Sequence, residues 1–130
     1  MWVADRKMMT KQGPVHLVWF NRDLRIEDHA PLRAAAASGC AVLSLYVVEP
    51  DYWAQPFASR RQWGFIHDCL QGLRNDLAGL GQPLIVKTGD VTDILSVLAD
   101  QLDIAAVHCH QETGNSWTYA RDQAVVGWCK

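Results

Sequence analysis

The sequence predicts an α/β fold built on a doubly wound, parallel β-sheet. Four short apolar segments, rich in β-branched and aromatic residues, alternate with longer segments whose apolar residues recur every three or four positions. The short segments are nearly continuous in their hydrophobicity, which is typical of parallel strands covered on both faces. Regular alternation of strands and helices favours right-handed crossovers within one layered domain.

The first part of the chain predicts two strands with a helix between them. The strand Val15–Phe20 is followed by a charged loop, in which Asp28 is placed to cap a helix that runs through Ser38. Gly39 is a suitable residue to end that helix. The second strand is Ala41–Val48, an apolar run that is too short to span a bilayer.

The next helix is long and amphipathic. Residues 49–58 form a loop with two prolines, after which Ser59 and Gln62 fit a capping box that opens the helix. Gly81 closes it. Its predicted apolar stripe consists of Trp63, Ile66, Cys69 or Leu70, Leu73, Leu77 and Leu80.

The last part of the chain predicts two further strands, each followed by a helix. Residues 83–87 and 105–109 read as strands, a helix begins at Asp90 between them, and residues 115–130 form the final helix. The order βαβαβαβα predicts a Rossmann-like sheet with strand order 3-2-1-4. The apolar side of the final helix is expected to carry Trp117, Ala120, Ala124 and Trp128.

A complete sheet of this kind would continue with a fifth strand after the final helix. We therefore expect residues 15–130 to be an α/β domain truncated at its C-terminus, preceded by a flexible extension over residues 1–14. The strand at 105–109 would then lie at an open edge, where unpaired backbone groups favour pairing with another chain. Self-association through this edge strand, or a frayed final helix, is the expected consequence.

Composition limits the classes of function. The 130 residues are 49% hydrophobic and 20% charged, with a formal net charge of -2, which excludes a disordered chain and a surface that is basic overall. The four cysteines contain no CxxC pair, so neither a zinc knuckle nor a disulfide framework is indicated. A reduced, cytoplasmic protein without a membrane partner is expected.

One motif follows the first strand directly. Trp19 and Phe20 lead into two polar residues, then Asp-Leu-Arg, and after a short gap an aspartate precedes the helix. This pattern resembles the opening signature of the DNA photolyase and cryptochrome family. Three later features resemble the same family in the right order: the pair Arg60 and Arg61, the segment 84–90 (LIVKTGD) and the segment 119–122 (Tyr-Ala-Arg-Asp).

The resemblance implies that the chain is the N-terminal α/β domain of a deoxyribodipyrimidine photolyase or a cryptochrome-like protein. In that family this domain can hold a light-harvesting antenna chromophore of the folate or deazaflavin type. The catalytic FAD and the lesion pocket belong to a C-terminal helical domain, which is the implied partner. Repair of pyrimidine dimers in damaged DNA, a carbon-carbon lyase reaction, or blue-light sensing would therefore belong to the full-length parent, and the chain alone is expected to be inactive.

The candidate cofactor site follows from the predicted topology. In open parallel sheets, ligands bind beyond the carboxyl ends of the strands, at the point where the strand order reverses. Here that point lies between the first and fourth strands. The candidate cofactor-binding residues are Asn21, Arg22, Glu49, Tyr52, Trp53, His110 and Glu112; no catalytic and no metal-binding residue is assigned.

Alternative interpretations accompany these residues. The charged loop after the first strand can instead form a structural ion-pair network among Asp23, Arg25 and Asp28. His108 and His110 fall on one face of a strand and, with Glu112, would offer three metal ligands. A stand-alone nucleotide-binding module remains the alternative function, although neither a G-x-G-x-x-G nor a P-loop spacing is present.

Overall fold

The computed structural model describes residues 14–21, 23–55, 58–110 and 116–129. Within these residues, four strands and five helices follow one another along the chain, and one of the helices is a short turn inside the loop after the second strand. The elements are β1 (Val15–Phe20), α1 (Ala30–Ala37), β2 (Ala41–Val48), α2 (Pro50–Trp53), α3 (Arg60–Gly79), β3 (Leu84–Thr88), α4 (Val91–Gln101), β4 (Ile104–His108) and α5 (Ser116–Cys129).

The strands form one parallel sheet in the order β3-β2-β1-β4, as predicted. β1 lies in the middle and pairs with β2 from Val15 opposite Ala41 onward, and with β4 up to Val18 opposite His108. β3 begins at Leu84, one residue later than expected, since the proline before it has no N–H to give to a ladder.

Alternation along the strands divides the interior into two hydrophobic cores. Leu17 and Trp19 point to one face of the sheet, where α4 and α5 cover them. Val18 and Phe20 point to the opposite face and pack against α1 and α3. All four side chains are essentially inaccessible to solvent, so β1 is covered on both faces and its carboxyl end is fixed rigidly.

The first helix is capped by a different residue than the sequence predicts. Asp28 has a φ of 50°, in the left-handed region, and its side chain does not cap the helix. The N-cap is His29, whose Nδ1 accepts a hydrogen bond of 3.0 Å from the backbone N–H of Leu32. The imidazole thus takes the place that a short polar side chain usually holds.

Two predicted apolar faces also differ from the structure. On α5, Ala120 and Ala124 are exposed, and the buried positions are Thr118 and Val125. Leu80 is 61% exposed because it is the C-cap of α3 and lies beyond the last turn that packs on the sheet. None of the helices in the described part of the chain is long and apolar enough to cross a membrane.

Candidate functional site

The carboxyl ends of β1, β2 and β4 bring several predicted residues to one edge of the sheet. Asn21 follows β1, Glu49 follows β2, and His110 lies two residues after β4. Nδ2 of Asn21 donates a 3.3 Å hydrogen bond to the backbone oxygen of His110, so the ends of β1 and β4 are linked directly. Arg22 and Glu112 lie outside the described residues.

A small cleft opens at this edge between β1, β2 and the short helix α2. Its volume is about 30 Å³, which is room for little more than one water molecule. The cleft is lined by Phe20, Asn21, Tyr46, Val47, Glu49, Tyr52, Trp53, Ile66 and Arg121. Four of the seven predicted site residues therefore share this one cavity.

Aromatic side chains form one wall of the cleft. The helix α2 turns Tyr52 inward, where its ring meets Trp53 and Trp117 edge-on at centroid distances of 4.9 and 5.4 Å. Trp53 in turn contacts Trp63 of α3 at 5.2 Å. These contacts hold the aromatic rings in fixed orientations.

A larger groove lies on the outer side of the same wall. Its volume is about 440 Å³, within the range of small-molecule sites. Phe65, which is 68% exposed, projects from α3 at this groove. The groove is lined by Tyr52, Trp53, Arg61, Gln62, Phe65 and Ile66, so it shares three residues with the cleft.

Sequence reasoning did not assign Arg121 to the site. Its Nη1 donates a 2.6 Å hydrogen bond to Oε1 of Glu49, and its Nε and Nη2 contact Oδ1 of Asp122 at 3.2 and 3.1 Å. The guanidinium also lies over the rings of Trp19 and Trp117, at 4.9 and 5.7 Å from their centroids. The only sequence signal was the Tyr-Ala-Arg-Asp segment, which marked the family resemblance and not the site.

A second polar group surrounds Asp23, just after β1. Oδ1 of Asp23 accepts a 2.8 Å hydrogen bond from the backbone N–H of Asn21. Oδ2 lies 2.5 Å from Nδ1 of His110 and 2.5 Å from Nε2 of His29. The His110 contact is a hydrogen bond, whereas the short His29 contact is an ion pair only when His29 is protonated.

The protonation states of this group follow from its surroundings. Burial raises the pKa of Asp23, but the hydrogen bonds from His110 and Asn21 and the charge of His29 outweigh it, so the pKa lies below 3.8. Burial lowers the pKa of His29 below 6.5, and Asp23 only partly opposes this shift. Near neutral pH, Asp23 is therefore a carboxylate and His29 is a neutral imidazole.

The geometry favours a hydrogen-bonded group over a metal centre. One ligand-type atom from each of Asp23, His29 and His110 lies within 4.8 Å of the others. However, Nδ1 of His29 accepts the capping hydrogen bond from Leu32, so the ring proton of the neutral imidazole sits on Nε2. Nε2 would have to lose that proton to bind a metal, and the capping bond would break if the proton moved to Nδ1.

The alternative interpretations of the charged loop and the fourth strand are not supported. Nε and Nη2 of Arg25 donate to the backbone oxygens of Glu27 and Asp28, so Arg25 makes no ion-pair network with Asp23 and Asp28. His108 and His110 have separate partners, because Nε2 of His108 lies 2.8 Å from Nδ1 of His16. These separate partners give no support to the three-ligand alternative, whose third residue, Glu112, lies outside the described residues.

The turn before α4 is explained by helix capping. Oδ1 of Asp90 accepts hydrogen bonds from the backbone N–H groups of Thr92 and Asp93, at 2.8 and 3.4 Å. The carboxylate thus occupies the helix N-terminus at which a phosphate would bind. This arrangement gives no support to the nucleotide-binding alternative.

Comparison with known proteins gives one consistent result. The family model for DNA photolyase matches residues 16–130. Cryptochrome DASH from Synechocystis sp. is 35% identical over 104 residues, which cover 76% of this chain and 21% of that protein. The deoxyribodipyrimidine photo-lyase of Escherichia coli is 43% identical over 76 residues, which cover 58% of this chain and 16% of that protein.

Solved structures agree with the sequence matches. The cryptochrome of Synechocystis sp. superimposes with a TM-score of 0.82 and 30% identity, covering 89% of this chain and 25% of that one. An archaeal photolyase from Sulfolobus tokodaii, described with two FAD molecules, gives a TM-score of 0.79 at 23% identity and shares the fold. The matched parts of the chain span 21% and 16% of the length of the two sequence relatives.

Proposed function

The chain belongs to the DNA photolyase family, and on that premise we propose that it is an antenna-type α/β domain that binds a light-harvesting pigment. The pigment is a planar heteroaromatic molecule of the folate or deazaflavin type, and the carboxyl edge of the sheet binds it. When bound, such a pigment absorbs near-ultraviolet or blue light and passes the excitation to a flavin. The protein supplies its position and environment.

The observation that carries this proposal is the aromatic wall between the cleft and the groove. Tyr52, Trp53 and Phe65 present rings on which a planar molecule can stack, and Arg61 supplies a cation for an acidic group. A cavity of about 30 Å³ is too small for a pigment, whereas the adjoining groove of about 440 Å³ has the necessary space. The residues that would hold the pigment therefore include groove residues that the sequence did not predict.

The predicted residues divide between two roles in this proposal. Tyr52 and Trp53 belong to both cavities and would contact the pigment ring. Asn21 and Glu49 line the cleft and would meet polar groups of the pigment. His110, at the same edge, is a further proposed contact, and Arg22 and Glu112, outside the described residues, stay predicted contacts.

The activity of the whole protein is a further part of the proposal. The matched segments cover only 21% and 16% of the two relatives, so we expect a helical C-terminal domain with FAD to act together with residues 15–130. That longer protein would repair pyrimidine dimers in DNA with light, or sense blue light. Damaged DNA would bind only through the longer protein, because the net charge of this chain is -2.

The location and assembly of the chain are also proposed. All four cysteines are free thiols, which is consistent with a reducing, cytoplasmic environment.

In the described structure, β4 pairs with β1 and lies at the edge of the sheet. We expect this edge to associate with a second copy when the chain is studied alone.

Pigment binding tests the proposal directly. We would titrate the purified chain with a deazaflavin and, separately, with a reduced folate, and follow both tryptophan fluorescence and the visible absorbance of the ligand. We expect one of the two classes to bind, and Trp53→Leu to weaken binding by about tenfold or more through lost stacking. Tyr119→Leu, at a 57% exposed aromatic residue of α5, is the matched control.

Two outcomes would contradict the proposal. One is that neither pigment class binds to the folded chain. The other is that Trp53→Leu binds as tightly as the original chain, since the aromatic wall would then make no contribution. Mixing the chain with FAD and ultraviolet-damaged DNA under blue light should give no loss of lesions above a protein-free control.

A further inference from the structure

We propose that the open edge of β3 is a docking site for an extended segment of a partner protein, which adds to the sheet as a further strand. Within the described residues, β3 pairs only with β2, and a groove lies beside this edge on each face of the sheet. The inference is independent of pigment binding, because neither groove shares a lining residue with the cleft or with the larger groove of the candidate pigment site.

The backbone of β3 presents hydrogen-bonding groups at this edge. The N–H of Gly89 donates a 2.9 Å hydrogen bond to the carbonyl oxygen of Val48 in β2. Successive residues of a strand direct their backbone groups to opposite sides, so those of Lys87 also face β2 and those of Val86 point away from it. Val86, in the middle of β3 and 36% exposed, therefore offers one N–H and one C=O to an added strand.

The two grooves lie where the side chains of an added strand would point. The α3-side groove, between β3 and α3, has a volume of about 230 Å³, and its apolar residues are Val48, Trp63, Leu70, Leu84 and Val86. The α4-side groove, between β3 and α4, has a volume of about 360 Å³, and its apolar residues are Ile94, Val97 and Leu98. Because successive side chains of a strand point to opposite faces, each groove can take every second side chain of the partner.

The charges of the two grooves define the chemistry of the partner. Arg74, which is always protonated, lines the α3-side groove, and no acidic residue is among the described residues that line it. The α4-side groove contains Asp90, Asp93 and Lys87, so its net charge is negative. A strand that complements both grooves has an acidic side chain on the α3 side, a basic side chain on the α4 side and apolar side chains beside them.

A second copy of this chain does not fit that description. Two antiparallel β3 strands related by a two-fold axis would place both copies of α3 on one face of the joined sheet and both copies of α4 on the other. Each face would then gather charges of one sign, Arg74 with its own counterpart among them. Lys87 also lies on the edge strand itself, and lysine at such a position opposes pairing between identical sheets. The occupant is therefore a segment of a different protein.

A designed peptide tests the backbone contact. The probe is a capped, fluorescently labelled octapeptide of valine and threonine, with lysine at its third position and glutamate at its sixth, so that the two charges point to opposite faces. Its anisotropy would be followed during titration with the original chain, Val86→Pro and Val126→Ala. Val86→Pro removes the outward N–H and leaves the ladder to β2 intact, and we expect it to weaken binding about tenfold. Val126→Ala, at an exposed position of α5, is the control and should bind as the original chain does.

A charge exchange tests the same site without a change to the backbone. Arg74→Glu should weaken binding of the probe about fivefold and strengthen binding of a second peptide, in which lysine replaces the glutamate, by a similar factor. Arg60→Glu, at the exposed first residue of α3, makes the same change of net charge and should affect neither peptide. This pair of variants keeps the inference testable if Val86→Pro does not fold.

Three results would overturn the inference. One is that the probe shows no saturable binding to the original chain. Another is that the probe binds, but Arg74→Glu and Arg60→Glu change its affinity equally. The third is that the chain self-associates without any peptide and that Val86→Pro abolishes this association, since the occupant of the edge would then be a second copy.

Discussion

Nη1 of Arg121 donates a 2.6 Å hydrogen bond to Oε1 of Glu49, and this contact ties α5 to the carboxyl end of β2. The two side chains are only 10% and 12% exposed. The guanidinium also covers the indole of Trp19 in the middle of the sheet. One arginine thus connects the final helix, the central strand and the candidate pigment site.

Arg121→Met should lower the free energy of unfolding by about 3 kcal/mol, because it removes the guanidinium from a nearly buried carboxylate. Denaturant-induced unfolding measures the change. Glu49→Gln should cost less, since an amide oxygen can still accept from Arg121. Arg33→Met, at an exposed arginine of α1, is the control and should change stability by at most about 0.5 kcal/mol. Equal effects of Arg121→Met and Arg33→Met would contradict the structural role of this contact.

The paired imidazoles of His16 and His108 should make the stability of the chain pH-dependent. Nδ1 of His16 and Nε2 of His108 are 2.8 Å apart, so one ring must be the donor and the other the acceptor. Burial, and then the charge of His16, lowers the pKa of His108 below 6.5. The unfolded chain therefore binds a proton before the folded chain does, and this contribution to stability is lost as the pH falls below 6.5.

His108→Gln is the variant that isolates this effect. The stability difference between the original chain and the variant should be largest near neutral pH and shrink as the pH falls. The burial of His29 acts in the same direction but is present in both proteins, so it cancels in the difference. Measuring unfolding free energies between about pH 8 and pH 5 tests the prediction. A difference that does not change with pH would argue against it.

The cap of α4 should contribute measurably to stability. Oδ1 of Asp90 accepts from the hydroxyl and the backbone N–H of Thr92, and these bonds, the hydroxyl one first, lower the pKa of Asp90 below 3.8. Asp90→Ala is expected to cost about 1 kcal/mol, whereas Asp90→Asn should retain most of the cap. Thermal unfolding would compare both with Asp93→Ala, which leaves the cap in place. Equal stability of Asp90→Ala and Asp93→Ala would refute the capping role.

The sheet could be predicted because its signals are local. β-branched residues, glycine turns and helix caps mark each element, and the order of elements determines which ends of the strands meet. The positions of Asn21, Glu49, Tyr52 and Trp53 after β1 and β2 therefore suffice to predict that they lie at the carboxyl edge of the sheet. The sequence contains no comparable local pattern for contacts between side chains that are far apart along the chain.

Two parts of the site show why the rest could not be predicted. Arg121 is a charged residue on a helix with weak amphipathicity, and an apolar pattern assigns such a residue to the surface. His110 and Asp23 are 87 residues apart, and no spacing rule connects them. His29 was missed as a cap because Asp28, a more usual capping residue, directly precedes it. For Arg121 and for the pair His110 and Asp23, a tertiary contact overrode the local preference.

The edge strand should control self-association of the isolated chain. Within the described residues, β4 has a paired neighbour only on the side of β1, and Ala105 within it is exposed. Ala105→Lys should reduce dimer formation, because a charge on an edge strand opposes pairing between sheets. Val97→Lys, at a 58% exposed position of α4, is the control for a general effect of charge. Sedimentation over a range of concentrations measures the association, and a strictly monomeric original chain would disprove it.

The most direct test of the central claim is to map where a pigment binds. Backbone amide shifts of the labelled chain would be recorded during titration with a deazaflavin and with a reduced folate. The pigment that binds should perturb Asn21, Glu49 and Trp53 at the carboxyl ends of the strands. Shifts confined to the opposite rim, around Val15 and Asp103, would contradict the account.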